Sequence, residues 1–320
     1  MLITKDGTIG KVAYIKELDK PATLNAGVFV IRGRDEYTSN LYMYHYLAAP
    51  FLLDYADEQA TGGTIKHLNQ NVLVSFPVPM PSVAEQEKVG HFFSAVNDLI
   101  TLHQREHDKT VNIKKALLEK MFPKDGEDKP EIRFAGFTDA WEQRKLGDLG
   151  SVVMNRRIFK EQTAESGDIP FYKIGTFGAE PDSFISRELF EEYKSKYPYP
   201  KVGDILISAS GSIGKTVEYT GKDEYFQDSN IVWLQHDERL NKSFLKHFYS
   251  VVKWHGLEGS TIKRLYNKNI LDTKINVPSL DEQQVVGAFF DRLSDLITLH
   301  KRELTKLQNI KKALLEKMFV

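Results

Sequence analysis

The run Ala209-Ser210-Gly211-Ser212-Ile213-Gly214-Lys215-Thr216 falls one residue short of a phosphate-cradling loop, because Ala209 stands where that chemistry needs its first glycine. A second version, Lys5-Asp6-Gly7-Thr8-Ile9-Gly10-Lys11-Val12, lacks both that glycine and the hydroxyl that would hold a metal ion. Nucleotide binding is therefore the weaker reading. The stronger ones are a Gly-permitted turn between strands that is purely structural, or one whose backbone amides, hydroxyls (Ser210, Ser212) and lysines (Lys215, Lys11) lie against nucleic-acid phosphates. Pro181-Asp182 with Glu192-Tyr193-Lys194 imitates the carboxylates and lysine of a metal-dependent nuclease. That chemistry needs the Glu-x-Lys on a strand beside the aspartate, and Glu191-Glu192 sits in a run of helical character. His103 and His107 have the i, i+4 spacing of a metal pair on one helix face. A related segment farther along carries Leu304 in place of His107, so packing and hydrogen bonding between helices is the expected role. Finally, Gly259 to Tyr266 offers Thr261, Lys263, Arg264 and Tyr266 in a Gly-started turn, able to touch phosphates and base edges or to serve as scaffold. Its core recurs at Gly63-Thr64-Ile65-Lys66. No catalytic or metal site is expected.

The composition constrains what these groups can serve. Across 320 residues, 43 Lys plus Arg nearly balance 44 Asp plus Glu, so no global positive field is present and any nucleic-acid contact depends on local patches. The absence of cysteine excludes disulfide and thiolate chemistry and fits a reducing compartment. No apolar run approaches the length of a membrane span, and the reading is of a cytoplasmic chain without a membrane partner.

The elements that carry these residues are duplicated. Ile113 to Phe122 recurs without change as Ile310 to Phe319, and over Ser82 to Phe122 against Ser279 to Phe319, 27 of 41 positions are identical. The match extends upstream: Leu2-Ile3, Gly7, Ile9, Gly10 and Lys11 pair with Leu206-Ile207, Gly211, Ile213, Gly214 and Lys215. Met1 takes the place of Ile205, so nothing corresponds to the stretch from Trp141 onward, and the first domain is expected to lack its N-terminal half. Ser279 with Glu282 and Ser82 with Glu85 have capping-box spacing. Beyond each, apolar positions alternate at intervals of four and three: Val286, Phe290, Leu293, Ile297, His300, Leu304, Leu307, Lys311, Leu314 and Met318, and in the first copy Val89, Phe93, Val96, Ile100, His103, His107, Thr110, Lys114, Leu117 and Met121. These are seams of two helices that pack on each other. At 1.5 Å per residue each helix is about 60 Å long. The region Trp141 to Val277 mixes strands (Ile169 to Ile174, Asp204 to Ser208, Thr216 to Tyr219, Asn230 to Gln235) with helices (Arg187 to Lys196, Lys242 to Lys253), an α+β domain.

Three motifs in order make the chain resemble the specificity (S) subunits of type I restriction-modification systems: Phe137-Thr138-Asp139-Ala140-Trp141-Glu142-Gln143-Arg144-Lys145-Leu146-Gly147-Asp148-Leu149; Gly203-Asp204-Ile205-Leu206-Ile207-Ser208 followed by Gly211 to Lys215; and Pro278-Ser279-Leu280-Asp281-Glu282-Gln283 leading into a long helix. The resemblance implies target-recognition domains joined by two long helices in an antiparallel coiled coil. The division is 1–81 for the end of a truncated first recognition domain, 82–122 and 279–320 for the helices, 123–136 for a linker and 137–278 for the second recognition domain. It further implies a non-catalytic chain that reads a bipartite target in double-stranded DNA and docks modification subunits, two of them, and restriction subunits. S-adenosylmethionine, ATP and magnesium then belong to those partners. Another S chain or fragment is the alternative means of completing the first domain. Because repeated residues cannot explain two different half-sites, Asn155 to Lys160 and Lys173 to Phe177, with Lys173 and Thr176, are the better candidates for base readout.

Overall fold

The computed structural model describes all residues except 34–35, 60–66, 257–263 and 320. The chain divides into two units, one of Met1–Lys109 with Ile297–Val320, the other Thr110–Leu296. Each unit thus combines an α+β head with parts of both long helices.

In the first unit, strands β1 (Leu2–Thr4), β2 (Val12–Ala13) and β3 (Val28–Val30) form a sheet of order β2-β1-β3, followed by helices α1 (Asn40–Leu47), α2 (Phe51–Gln59), α3 (Gln70–Ser75) and the start of α4 (Val83–Met121). Ile3, Tyr42, Leu52 and Phe93 are fully buried in its core, with Phe319 from the end of the chain.

The second unit contains β4 (Glu142–Lys145), α5 (Leu146–Leu149), β5 (Gly150–Val153), β6 (Ile169–Tyr172), β7 (Phe184–Ile185), α6 (Arg187–Lys196), β8 (Ile205–Ser208), β9 (Thr216–Glu218), β10 (Tyr225–Phe226), β11 (Ile231–His236), α7 (Lys242–Phe248), α8 (Asn267–Asp272), β12 (Lys274–Val277) and the start of α9 (Leu280–Met318). Its main sheet has the order β5-β11-β8-β9, with β10-β6-β7 and β12-β4 as smaller sheets. The β9-β8-β11 part repeats the first unit's β2-β1-β3 in order and direction.

The expected strands are present; three are shorter at an end, and the fourth, β11, is shifted by one residue to Ile231–His236. Ile174 falls in a turn, its amide donating to Gln227 Oε1 at 2.9 Å rather than extending β6. The helix expected to reach Lys253 stops at Phe248, with Tyr249 as its C-cap. β4, β5, β7, β10 and β12 are too short or too polar to announce themselves by alternation.

Both long helices begin as their caps dictate: Ser82 Oγ accepts from Glu85 N and Ser279 Oγ from Glu282 N, each at 3.3 Å. The reciprocal half of the second capping box does not form as its spacing suggests. Glu282 is buried and its carboxylate is held by Arg133, Nε to Oε1 at 2.7 Å and Nη2 to Oε2 at 2.8 Å. Within each unit the helices run antiparallel. In the first, Phe93 stacks on Phe319 and His103 Nδ1 lies 3.3 Å from His300 Nδ1. In the second, Lys114 Nζ donates to Ser294 Oγ at 2.7 Å and Phe122 stacks on Phe290. Val89, Phe93, Val286 and Phe290 are buried, while Ile100, Leu117, Leu293, Ile297, Leu304, Leu307 and Leu314 are half-buried. Met318 departs from the expected seam: it is 39% exposed, and Leu315 and Phe319 are buried instead, because Phe319 turns into the aromatic core around Tyr42 and Tyr46.

The head of each unit is fastened to its helix by one repeated device. Gln86 accepts from the Ser39 amide at 2.9 Å and donates to Pro81 O at 2.8 Å; Gln283 accepts from the Asn241 amide at 2.8 Å and donates to Pro278 O at 3.0 Å. Ser39 and Asn241 are the N-caps of α1 and α7. Gly90 and Gly287 let those helices approach, since a Cβ at either would lie 2.9 Å from the backbone nitrogen of Tyr42 or Phe244. One turn on, buried His45 meets Ser94 at 3.0 Å, and buried His247 meets Asp291 at 3.0 Å.

Candidate nucleic-acid interface

In the second unit the antiparallel sheet brings several loops to one end. The chain leaves β5, β6, β8 and β10 there and enters β9 and β11. The turn Gln227 to Asn230 is their hub. Its Gln227 side chain accepts from Ile174 N, Asp228 Oδ2 pairs with Arg157 Nε at 2.9 Å, and Ser229 N donates to Met154 Sδ at 3.3 Å. Ser229 O accepts from Arg264 Nη2 at 2.7 Å, and Asn230 Oδ1 accepts from Ser210 Oγ at 2.8 Å. Ser229 has a left-handed φ of 60°, the one such non-glycine among the described residues. That conformation is costly for a residue with a Cβ, and these five ties hold it in place.

The sequence-derived candidates are thereby sorted. Lys173, Thr176, Ser210, Ser212, Lys215, Arg264 and Tyr266 all belong to loops at this end. Several of them are committed to shaping it. Thr176 Oγ1 accepts from Lys173 N at 3.2 Å, Lys173 Nζ pairs with Asp182 at 2.9 Å, and Lys215 Nζ donates to Phe177 O. Arg264 forms a β-bridge with Ser210 as well as its bond to Ser229. Ser212, Lys215 and Tyr266 are exposed, with the Tyr266 ring 6.0 Å from the Arg264 guanidinium. Lys66, Thr261 and Lys263 lie outside the described residues. Lys11 is exposed on the equivalent hairpin of the first unit.

The Gly-rich runs are tight hairpins, not the strand-to-helix turn that a nucleotide cradle requires. Gly211 and Gly214 (φ 64° and 78°) and Gly7 and Gly10 (φ 69° and 75°) occupy the left-handed region. Ser208 Oγ, inside one turn, donates to Ser212 O and accepts from Lys215 N, and Thr4 Oγ1 makes the same pair with Thr8 O and Lys11 N. The amides of Ile213, Gly214 and Lys215 are all donated within the turn. Asp182 and Glu192 do not converge: Glu192 lies on α6 and pairs with Lys196 at 2.9 Å.

Sequence reasoning missed Arg156, Arg157, Asp228 and Ser229 as individual residues, although Asn155 to Lys160 had been singled out as a segment. The hub turn carries no motif, and its importance lies in long-range hydrogen bonds. The adjacent arginines before an exposed Phe159 were the available signal.

The chain belongs to the family of the type I restriction modification DNA specificity domain, which matches residues 1–111 and 138–309. A Haemophilus influenzae protein described as a type I restriction enzyme specificity subunit is 40% identical over 303 residues, covering 92% of this chain and 75% of the relative. The MjaIX specificity subunit of Methanocaldococcus jannaschii is 24% identical over 343 residues, with 99% of this chain and 76% of the relative covered. The fold resembles the crystal structure of the type I restriction-modification S subunit from M. genitalium, with a TM-score of 0.65 at 17% identity, over 100% of this chain and 82% of that one. Among the described residues, no helix is long and apolar enough to cross a membrane.

Proposed function

We propose that this chain, as the specificity subunit of a type I restriction-modification system, reads one half of a double-stranded target through the loop end of the second unit. The observation that carries the reading is the convergence of four loops bearing Arg156, Arg157, Lys173, Lys215 and Arg264 on one strained hub turn, in a chain of this family. Local cations gathered on one surface supply the phosphate attraction that a net charge of -1 withholds. The chain is non-catalytic and cytoplasmic and holds no cofactor; S-adenosylmethionine, ATP and magnesium are partner properties. Two modification subunits, joined by restriction subunits, fit the duplicated helices, in which Leu102 and Leu299, identical positions of the repeat, are both 52% exposed.

Methylome sequencing of cells that express the chain with its modification subunit tests this reading. A single recurrent methylated motif is expected, and methylation without sequence preference would sink it. In the purified complex, Arg264→Ala is expected to weaken DNA binding and flatten its salt dependence, as is Lys263→Ala; unchanged affinity and slope in both would count against the assignment.

One observation favours a second reading for the first unit. The outer edge of β3 has no strand beside it among the described residues, whereas the equivalent edge of β11 is covered by β5. A strand from another copy or chain would complete that edge. A methylated motif with one specified half favours the incomplete form, and a bipartite motif favours completion.

A further inference from the structure

The loop after β5 walls a cavity that phosphate anchoring leaves unused. Asn155, Arg156, Arg157 and Phe159 from this loop, Tyr197 after α6 and Asp228 of the hub turn line an open cleft with a volume of about 490 Å³. Its rim offers flat faces: Arg156 lies 5.2 Å over the Tyr197 ring, and Phe159 is 52% exposed. The same lining offers acceptors. Asn155 is 2% exposed, and its Nδ2 donates to Pro198 O at 3.1 Å, which fixes the orientation of the amide. Its Oδ1 has no hydrogen-bond donor among the described residues. A buried carbonyl oxygen left without a donor is costly, and in a native fold it points to a missing partner. Asp228, held by Arg157, is a second acceptor on the same wall.

A ring with a π face and an amino edge matches both features. Adenine and cytosine present an exocyclic amine as donor, whereas thymine presents a carbonyl and a methyl group in the major groove. We propose that this cavity reads one base of the target through its exocyclic amine, with Asn155 Oδ1 and Asp228 accepting from its major-groove edge and Arg156 and Phe159 at the rim against the adjoining backbone. The inference rests on the DNA-reading function above. Asn155 Oδ1 is shielded before DNA arrives, so the contact requires neighbouring side chains to shift on binding.

The test uses the complete complex with its modification subunits and a duplex carrying the half-site identified by methylation. Each adenine is replaced in turn by purine and each cytosine by 2-pyrimidinone, which lack only the amine, and binding is measured by fluorescence anisotropy. One substitution is expected to weaken wild-type binding roughly tenfold, and the same substitution is expected to leave the Asn155→Leu complex unaffected. The position identifies the base as adenine or cytosine. The proposal is overturned if no amine removal weakens wild-type binding, or if Asn155→Leu loses as much as wild type. Should Asn155→Leu fail to fold, Asp228→Asn, which replaces one carboxylate oxygen of the second acceptor with a donor, carries the comparison: its sensitivity to amine removal is expected to fall, and undiminished sensitivity overturns the proposal. A wild-type complex without any sequence preference removes the DNA-reading function itself, and this cavity's role with it.

Discussion

Arg133 and Glu282 are separated by most of the second unit in sequence yet form a bidentate pair, with Arg133 14% and Glu282 1% exposed. Removing the cation leaves a carboxylate buried without its counter-ion, so Arg133→Ala is expected to lower stability by about 3–5 kcal/mol in urea denaturation. A loss near zero would show that the pair is dispensable. His247 and His45 are neutral anchors of the heads. Each has its pKa lowered from 6.5 to about 4, by burial first; Lys114 and Lys246 add to the effect at His247 against the opposing Asp291 carboxylate, and Lys311 adds to it at His45. Between those values the unfolded chain binds protons that the folded chain refuses, so stability present at neutral pH is lost as pH falls from 6.5 toward 4. At 1.36 kcal/mol per pKa unit, each histidine withdraws about 3 kcal/mol across that window. Thermal melts at stepped pH are expected to show His247→Gln with a shallower acid-side slope than wild type, and equal slopes would refute the buried-neutral assignment.

Among the elements, the long helices were the most legible. Serine caps and a four-three apolar alternation over nearly forty residues (39 in each helix) leave little room for another structure. The short strands were less so, because β5 and β10 are specified by what they pair with. What tied heads to helices was visible only as identity: Gln86 and Gln283 look like ordinary polar helix residues until Ser39 and Asn241 are brought to them by the fold. Gly287 shows the difference in sign that tertiary context makes. In an isolated helix Gly→Ala adds about 1 kcal/mol of stability, but here a Cβ would meet the Phe244 nitrogen at 2.9 Å, backbone that cannot turn aside. Gly287→Ala is therefore expected to destabilise the second unit by about 1–3 kcal/mol, measured by chemical denaturation; a gain in stability would show that α7 shifts freely.

For the molecule as a whole, each unit is assembled from segments far apart in the chain. Phe319, just past the end of α9, packs among Tyr42, Tyr46, Phe51 and Phe93 of the first unit. Phe319→Ala is expected to cost that unit about 3–5 kcal/mol, and truncation after Leu296 to release its amides to rapid hydrogen exchange while the core around Phe244 and Phe290 stays protected. Equal protection in both units would contradict the division. Duplication, paired rods and family membership are legible without coordinates, because they depend on periodicity and identity, which are written locally. Which cations brace a loop is set by the fold, since Arg157 and Arg264 are engaged only where Asp228 and Ser229 stand. It alone showed that Glu282 serves Arg133 instead of its own cap, because a buried carboxylate goes to the donor that the fold brings nearest.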